Sequence, residues 1–224
     1  PPDIQLLDSS LKLYHSLKHD TAKVAAINEV CDKLNHRSWT KYQLFQYEKI
    51  KKGLKNNTDK KEIRSYKSYL VGALYNMGVV SSQNGDVSRS LELNYEALKL
   101  SEELNDKGVM ALSLTSIGSI HYSQGEEDKA MEAFKKAMEI SKKNKKHINV
   151  VYLLERLAHV SFDKKEYEKS IEFSNKAKNL SDSIGYKIGT ARVIGNMGGV
   201  FKMLGDDEKA LEYYYRSLKL AREL

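Results

Sequence analysis

Two side chains that can bind a metal or transfer a proton lie one helical turn apart in the second half of the chain. Glu155 and His159 are four residues apart, a spacing that places two side chains on the same face of an α-helix. A carboxylate and an imidazole in this arrangement form half of a metal site, but no third ligand follows at a recognisable spacing. The sequence therefore predicts an ion pair or a hydrogen bond here, and neither a metal nor a cofactor.

Other chemically suggestive residues lack the context that catalysis needs. Gly198 and Gly199 do not stand between a strand and a helix, as the glycines of a phosphate loop do. The tyrosine run 213–215 fits packing at helical pitch, with one tyrosine pointing outward. Cys31 lies in an apolar helical pattern, which favours a buried structural thiol over a reactive one. No Ser-His-Asp or Cys-His arrangement is evident, so the chain is not expected to be an enzyme.

The charge is unevenly distributed along the 224 residues. Of the net charge of +7, most belongs to residues 1–70, which carry 14 Lys and Arg against 8 Asp and Glu. A basic patch of this kind can bind nucleic acid or an anionic surface. No aromatic or glycine pattern of a nucleic-acid module accompanies the charge, which favours a solvated helix face with a lysine-rich loop. A nucleic-acid partner is therefore not expected, and no apolar run is long enough for a membrane helix.

The elements that position these side chains follow from an internal repeat. Few helix breakers interrupt the sequence, which has two prolines and 13 glycines. Four segments align without gaps at a period of 40 residues, over 71–110, 111–150, 151–190 and 191–224, and the last copy is shorter than the others. Such a period indicates one supersecondary unit repeated along the chain.

Each segment has the layout of a helical hairpin. The first helix carries a small residue where the second helix crosses it, and these residues are Gly78, Gly118, Ala158 and Gly198. A tight polar turn follows, in which glycine supplies the positive φ in three copies and an acidic residue begins the next helix. The second helix carries an aromatic residue at Phe134 and Tyr214, whereas Asn94 and Ser174 occupy this position in the other two copies. Packing at those two crossings is expected to differ.

The array resembles the tetratricopeptide repeat family in a long-spaced form. Residues 121–143, which read HYSQGEEDKAMEAFKKAMEISKK, carry the family pattern most fully. The common unit has about 34 residues. The six further residues of each copy are expected to extend the helices or to lengthen the loop between units. The resemblance implies an all-α fold, an α-α superhelix of antiparallel helix pairs, whose first helices line a concave surface that binds a peptide or a partner helix.

The same resemblance selects candidate binding residues on the first helices. They are Tyr75, Asn76, Tyr122, Tyr152, Arg156, His159, Arg192 and Asn196. Counted from the small residue of each first helix, the remaining groove positions are Gly72, Val79, Ser82, Leu112, Thr115, Ser116, Ser119, Glu155, Phe162, Gly195, Gly199 and Lys202. An amide both donates to and accepts from a bound peptide group, arginine binds carboxylates, and aromatic rings hold apolar side chains. Tyr75 and Val79 stand where some family members carry the Lys and Asn of a carboxylate clamp, so that activity is not predicted.

Residues 1–70 are less regular and are interpreted as an N-terminal helix, from Ile4 to Leu17, followed by a degenerate capping repeat. A helical apolar pattern runs from Ala22 to Leu34, and a partner helix is expected around Trp39 and Leu54. Residues 55–61 are interpreted as a linker, with Thr58 or Asp59 capping the next helix.

Several expectations concern the whole protein. The last segment lacks a polar cap, which solenoids need, so the chain is expected either to continue or to pack on another molecule, with a homodimer through terminal repeats as one form. Residues 8–30 resemble the start of sensor regions in bacterial repeat-containing histidine kinases. We therefore expect a sensory or regulatory module of a bacterial signalling protein, with a periplasmic location favoured over a cytoplasmic one. The alternative is a stand-alone cytoplasmic adaptor or scaffold.

Overall fold

The computed structural model describes Ala22 and residues 39–224. These ranges contain nine α-helices and no strand, which confirms the all-helical prediction. The helices are α1 Trp39–Asn56, α2 Lys60–Gln83, α3 Val87–Leu104, α4 Lys107–Ser123, α5 Glu127–Lys143, α6 His147–Asp163, α7 Tyr167–Ser183, α8 Lys187–Met203 and α9 Asp207–Arg222. The predicted helix from Ile4 to Leu17, nearly all of the pattern from Ala22 to Leu34, and Cys31 lie outside the described residues.

The chain divides into two compact units, residues 1–113 and 114–224. In the described part of the first unit, α1 packs against α2, and α2 pairs with α3 around Ile50, Leu74 and Leu93. Only residues 57–59 separate α1 from α2, so the predicted linker over 55–61 is too long. Asp59 caps α2, because its carboxylate accepts the amide N–H groups of Lys61 and Glu62 at 2.9 Å each.

Helix and turn lengths explain the period of 40 residues. Each helix from α4 to α8 has 17 residues and is followed by a turn of three residues. The residues beyond the common unit therefore lengthen the helices and not the turns. Within residues 107–203 the first helices begin at Lys107, His147 and Lys187, four residues before the corresponding aligned segments. The segment boundaries themselves stay a prediction.

The turns share one backbone conformation. Each turn between α2 and α9 contains one residue with a positive φ, a conformation that only glycine adopts without strain. Gly85, Gly125 and Gly205 have φ values of 80°, 73° and 79°, as the sequence predicts. In the third repeat the same position is Lys165, with φ 59°. The turn geometry is thus imposed by the helices on either side even where no glycine supports it.

The predicted close crossing of the two helices in a repeat is confirmed. In the second repeat the Phe134 ring lies against Gly118, where an added Cβ would be 2.7 Å from its Cδ1 atom. In the fourth repeat the Tyr214 ring lies against Gly198 in the same way, again at 2.7 Å from an added Cβ. Glycine is therefore needed wherever the second helix carries a ring.

In the first and third repeats, which lack the ring, a serine hydroxyl on the second helix bonds to the backbone of the first. Ser90 donates to the carbonyl of Gly78 at 2.7 Å, and Ser170 donates to the carbonyl of Ala158 at 2.9 Å. Both serines are buried. The two repeats with Asn94 and Ser174 thus hold their helix pairs by a side-chain hydrogen bond to the first helix, so packing at these crossings differs as expected.

The core of the second unit lies between its helices. Phe134 on α5, Leu153 and Leu157 on α6, and Val193 and Met197 on α8 are all at most 1% exposed. These residues recur at helical spacing on the faces turned toward neighbouring helices. No helix of the described residues combines the length and apolar character that crossing a membrane requires.

Candidate functional site

Successive first helices of the second unit are joined by side chains one repeat apart. Tyr122 on α4 donates its hydroxyl to Asp163 on α6. Glu155 and His159 on α6 contact Arg192 and Asn196 on α8, which are each 37 residues further along the chain. Four of the predicted site residues, Tyr122, His159, Arg192 and Asn196, therefore take part in contacts along one surface built from first helices. Their role in binding stays a prediction.

The strongest of these contacts pairs a buried carboxylate with an arginine. Both Nε and Nη2 of Arg192 donate to Oε2 of Glu155, at 2.8 Å and 2.7 Å. Glu155 is 5% exposed, and its Oε1 atom accepts no hydrogen bond from the described part of the chain. Burial raises the pKa of the Glu155 carboxyl, and the hydrogen bond from Arg192 opposes that shift. Arg192, predicted as a receptor for a ligand carboxylate, already holds one within the protein.

His159 forms the second contact between α6 and α8. Nδ2 of Asn196 lies 2.9 Å from Nε2 of His159 and donates to it when the imidazole is neutral. Burial lowers the pKa of His159, and the nearby positive charge of Arg156 lowers it further. The pair therefore presents a neutral imidazole and an amide. Glu155 and His159 do not contact each other as an ion pair, and the described residues contain no group that could hold a metal ion.

Arg156 differs from Arg192 because it forms a cation–π contact in place of an ion pair. Its guanidinium lies over the ring of Tyr152, 4.7 Å from the ring centre, and it forms no ion pair with any described residue. A cation on an aromatic face is held in position while its hydrogen-bond donors stay available. Burial raises the pKa of Tyr122 to about 12, together with its hydrogen bond to Asp163. Tyr122 thus stays neutral and fixed beside this surface.

A pocket of about 230 Å³ opens between α6, α7 and α8. Its lining residues are Ala158, His159, Phe162, Ser170, Ser174, Gly195, Asn196, Gly199 and Val200. His159 and Asn196 are predicted site residues, and Phe162, Gly195 and Gly199 are at predicted groove positions. Ser174 and Ser170 were not predicted. The sequence feature that points to them is the missing aromatic residue at position 174. The sequence alone does not show that a pocket results.

The pocket occurs at one of the two crossings where the ring is absent, that of the third repeat. At the equivalent crossings of the neighbouring repeats, the rings of Phe134 and Tyr214 lie over glycines. Ser174 contributes only a hydroxymethyl group, and α7 does not approach closely enough to fill the space. The volume that a ring would occupy is therefore partly open, and its walls combine apolar side chains with one imidazole–amide pair.

Two predicted site residues belong to the first unit. Tyr75 and Asn76 lie on α2 and are both partly buried, and Tyr75 packs against the core of that unit. Both stay predictions.

Solved structures with the same fold share little sequence with this chain. The crystal structure of BtubC (BKLC) from P. vanneervenii is 15% identical with a TM-score of 0.79, and the alignment covers 99% of this chain and 89% of that one. A STAND signal transduction ATPase with a tetratricopeptide repeat sensor from Pyrococcus horikoshii is 18% identical with a TM-score of 0.70, over 95% of this chain and 32% of that chain. A Rap protein complexed with Competence and Sporulation Factor is 14% identical with a TM-score of 0.60, over 99% and 66%.

At these identities the likeness concerns the fold alone. A search of curated proteins finds no match to the sequence. A sequence model of the tetratricopeptide repeat, however, matches residues 69–143 and 149–223, which together make up more than half of the chain. The matched ranges contain the crossings of all four helix pairs described above and nearly all of α3 to α9. The chain therefore belongs to the tetratricopeptide repeat family.

Proposed function

We propose that this protein binds a peptide or a partner helix on the first-helix surface of residues 114–224. Tetratricopeptide repeats are protein-interaction modules and are in general non-catalytic, so binding is the activity to expect. The observation that carries the proposal is Arg156, an arginine without an ion-pair partner among the described residues, on the same helix as the pocket residue His159. A charged anchor next to a partly apolar pocket is the arrangement that recognises a peptide.

Arg156 and Arg192 have different roles in this proposal. Arg156 binds a carboxylate of the ligand, because the Tyr152 ring orients its guanidinium and leaves the donors on its edge available. Arg192 neutralises the buried Glu155 and thereby fixes α6 against α8. Asn196 offers its amide oxygen to the ligand while its nitrogen holds His159. Loss of Arg156 is expected to weaken binding directly, whereas loss of Arg192 acts through the position of α8.

The test is selection of binders from a random peptide library displayed on phage, followed by affinity measurements with variants. Arg156→Ala and Asn196→Ala are expected to weaken binding of the selected peptides by tenfold or more without loss of helicity. Arg89→Ala, an exposed arginine on α3 in the first unit, is the matched control and should leave affinity within about twofold. Unchanged affinity in both site variants would remove the assignment of this surface.

Asn76→Ala addresses the predicted residues of the first unit separately. Reduced affinity for the same peptides would show that the ligand reaches α2. Unchanged affinity would confine the binding surface to residues 114–224.

The biological setting that we propose is the sensory or regulatory region of a bacterial signalling protein. Two proteins of similar fold support it, the STAND protein with a repeat sensor and the Rap protein complexed with Competence and Sporulation Factor. A stand-alone cytoplasmic adaptor is the second candidate. The gene sequence on both sides of residues 1–224 distinguishes the sensor from the adaptor. A leader before Pro1 and a membrane helix with a kinase domain after Leu224 support the sensor, and a gene without any output domain supports the adaptor.

A homodimer through the terminal repeats is a further part of the proposal. On α9, Leu211, Tyr215 and Leu218 are 70%, 74% and 48% exposed and recur at helical spacing on one face. Tyr215 is also the tyrosine of the 213–215 run that points outward, as predicted. Light scattering should show a concentration-dependent dimer that Leu211→Glu/Tyr215→Glu converts to a monomer. A monomeric wild-type protein at high concentration would exclude this contact.

A further inference from the structure

We propose that the pocket at Ser174 receives an aromatic side chain of the bound peptide, at the crossing that the protein itself fills with a ring in the neighbouring repeats but nearer the opening. The inference rests on the proposed peptide-binding function and specifies one feature of the ligand. It is independent of Arg156, because the pocket is lined by other residues.

The chain itself shows which group fits at this crossing. The Phe134 ring is 0% exposed at the equivalent crossing of the second repeat, and the Tyr214 ring lies at that of the fourth. The three repeats have the same helix lengths and turns up to α8, so the space between helices is comparable. A cavity of about 150 Å³ in a protein core is large enough to hold benzene. The pocket of about 230 Å³ is therefore large enough for a phenyl or a phenol ring.

Ala158 determines how such a ring enters. The ring-bearing repeats have glycine at this position, and a Cβ there would come within 2.7 Å of the ring. Ala158 carries that Cβ, so a ligand ring cannot lie where the Phe134 ring lies in its own repeat. It must stay nearer the opening, between Phe162 and Val200. The pairing of alanine with serine thus prevents the chain from filling the pocket itself and leaves room for a ring from outside.

The walls favour a neutral aromatic group over a charged one. Ala158, Phe162 and Val200 supply apolar contact, and a ring edge of the ligand can pack against Phe162. No lysine, arginine or carboxylate lines the pocket, so a charged side chain would lose its hydration without a partner. Asn196 and His159 lie at the wall and can hydrogen-bond the hydroxyl of a tyrosine or the indole N–H of a tryptophan.

The first experiment tests the pocket with the side chain alone. N-acetyl-phenylalaninamide, N-acetyl-tyrosinamide and N-acetyl-alaninamide are titrated into the isotope-labelled protein, and amide shifts are followed by NMR. The two aromatic probes are expected to shift the amides of Gly195, Gly199 and Ser174 at millimolar concentrations, and the alanine probe to shift none of them. Aromatic probes that leave these amides unshifted would overturn the inference.

A variant that fills the pocket supplies the decisive comparison. Ala158→Gly/Ser174→Phe reproduces the glycine–phenylalanine pair of the second repeat within the third. It is expected to abolish the aromatic shifts and to weaken binding of a phage-selected peptide at least tenfold. The matched control is Asn175→Phe, which adds the same ring to an exposed position next along α7 and should leave binding within about twofold.

Changes in the peptide test the same point without any protein variant. Replacing the aromatic residue of a selected peptide by alanine should weaken binding to the wild type at least tenfold and leave binding to the filled variant nearly unchanged. Peptides that depend on Arg156 but tolerate this replacement would overturn the inference and leave the proposed function intact. Aromatic probes that bind while no peptide is selected would overturn both, since the ring would then belong to a free small molecule.

Discussion

A Cβ atom on Gly118 would lie 2.7 Å from both Cδ1 and Cε1 of Phe134. This contact joins the two helices of the second repeat. The ring on the second helix leaves no room for a side chain at the facing position of the first helix. Where the second helix carries a ring, the first has glycine, and where the first has Ala158 the second has Ser174. The pocket proposed to bind an aromatic side chain exists because the third repeat uses the second of these combinations.

Gly118→Ala is expected to destabilise the second unit by about 1–3 kcal/mol, because the added methyl group overlaps a buried ring that has no space to move into. Denaturant unfolding monitored by circular dichroism measures the change. Gly108→Ala on the same helix is the control, since its Cβ meets only the side chain of Asp106 at 3.3 Å. The control should be neutral or stabilise by up to about 1 kcal/mol. Equal effects of the two substitutions would contradict the close crossing.

Arg192→Ala is expected to destabilise by about 1–3 kcal/mol, because it leaves the buried Glu155 carboxylate without its partner. The range lies below the roughly 3–5 kcal/mol of a fully buried pair, since Arg192 remains partly exposed. Glu155→Gln in the Arg192→Ala background removes the uncompensated charge and should recover most of the loss. A double variant no more stable than Arg192→Ala would show that Arg192 acts through packing and not through the carboxylate.

His159 is expected to make stability depend on pH. In the folded protein burial lowers its pKa, with Arg156 and Arg192 adding to the shift and Asp163 opposing it. As the pH falls below the ordinary value of about 6.5, the unfolded chain therefore takes up the proton first, and the free energy of unfolding decreases until the folded pKa is reached. The His159→Gln variant has no group here that takes up a proton, so its free energy of unfolding should decrease less over the same pH range. Melting temperatures of both proteins between neutral and acidic pH measure the difference.

Glu155 gives stability the opposite dependence on pH. The comparison therefore needs Glu155 in both the wild type and the His159→Gln variant. Burial raises its pKa, so the folded state takes up a proton before the unfolded state does, and this contribution increases stability as the pH falls through the folded pKa. Because wild type and His159→Gln share Glu155, its contribution cancels in the comparison. If the melting temperatures of the two proteins differed by the same amount at every pH, the lowered pKa of His159 would be contradicted.

Lys165→Gly is expected to stabilise the protein by about 1 kcal/mol. Lys165 has φ 59°, a left-handed conformation that costs an L-residue roughly 1–2 kcal/mol and glycine almost nothing. The greater freedom of glycine in the unfolded chain offsets part of the gain. Gly125→Lys at the equivalent turn of the second repeat, with φ 73°, should destabilise by a similar amount. Thermal unfolding of both variants should give shifts of opposite sign, and shifts of one sign would contradict the shared turn geometry.

Patterns in the sequence are enough to predict the repeating features of this protein. The helix pairs, the glycines at the crossings, the positive φ of the glycine turns and a cap at Thr58 or Asp59 are predicted, and the structure contains them with Asp59 as the cap. Each depends on residues close together in the chain or on a pattern repeated four times. Helical spacing and turn chemistry act locally, so a sequence without coordinates is enough to recognise them.

The contacts between side chains of neighbouring repeats follow from the packing of the folded chain and not from the sequence pattern. Glu155 and His159 share a helix face in the sequence, yet their partners are Arg192 and Asn196, 37 residues away. The sequence revealed the missing ring at Ser174 but not whether α7 would move inward to close the gap. Both outcomes depend on the distance and rotation between neighbouring helices, which the packing of the whole unit sets and which the spacing within one helix does not encode.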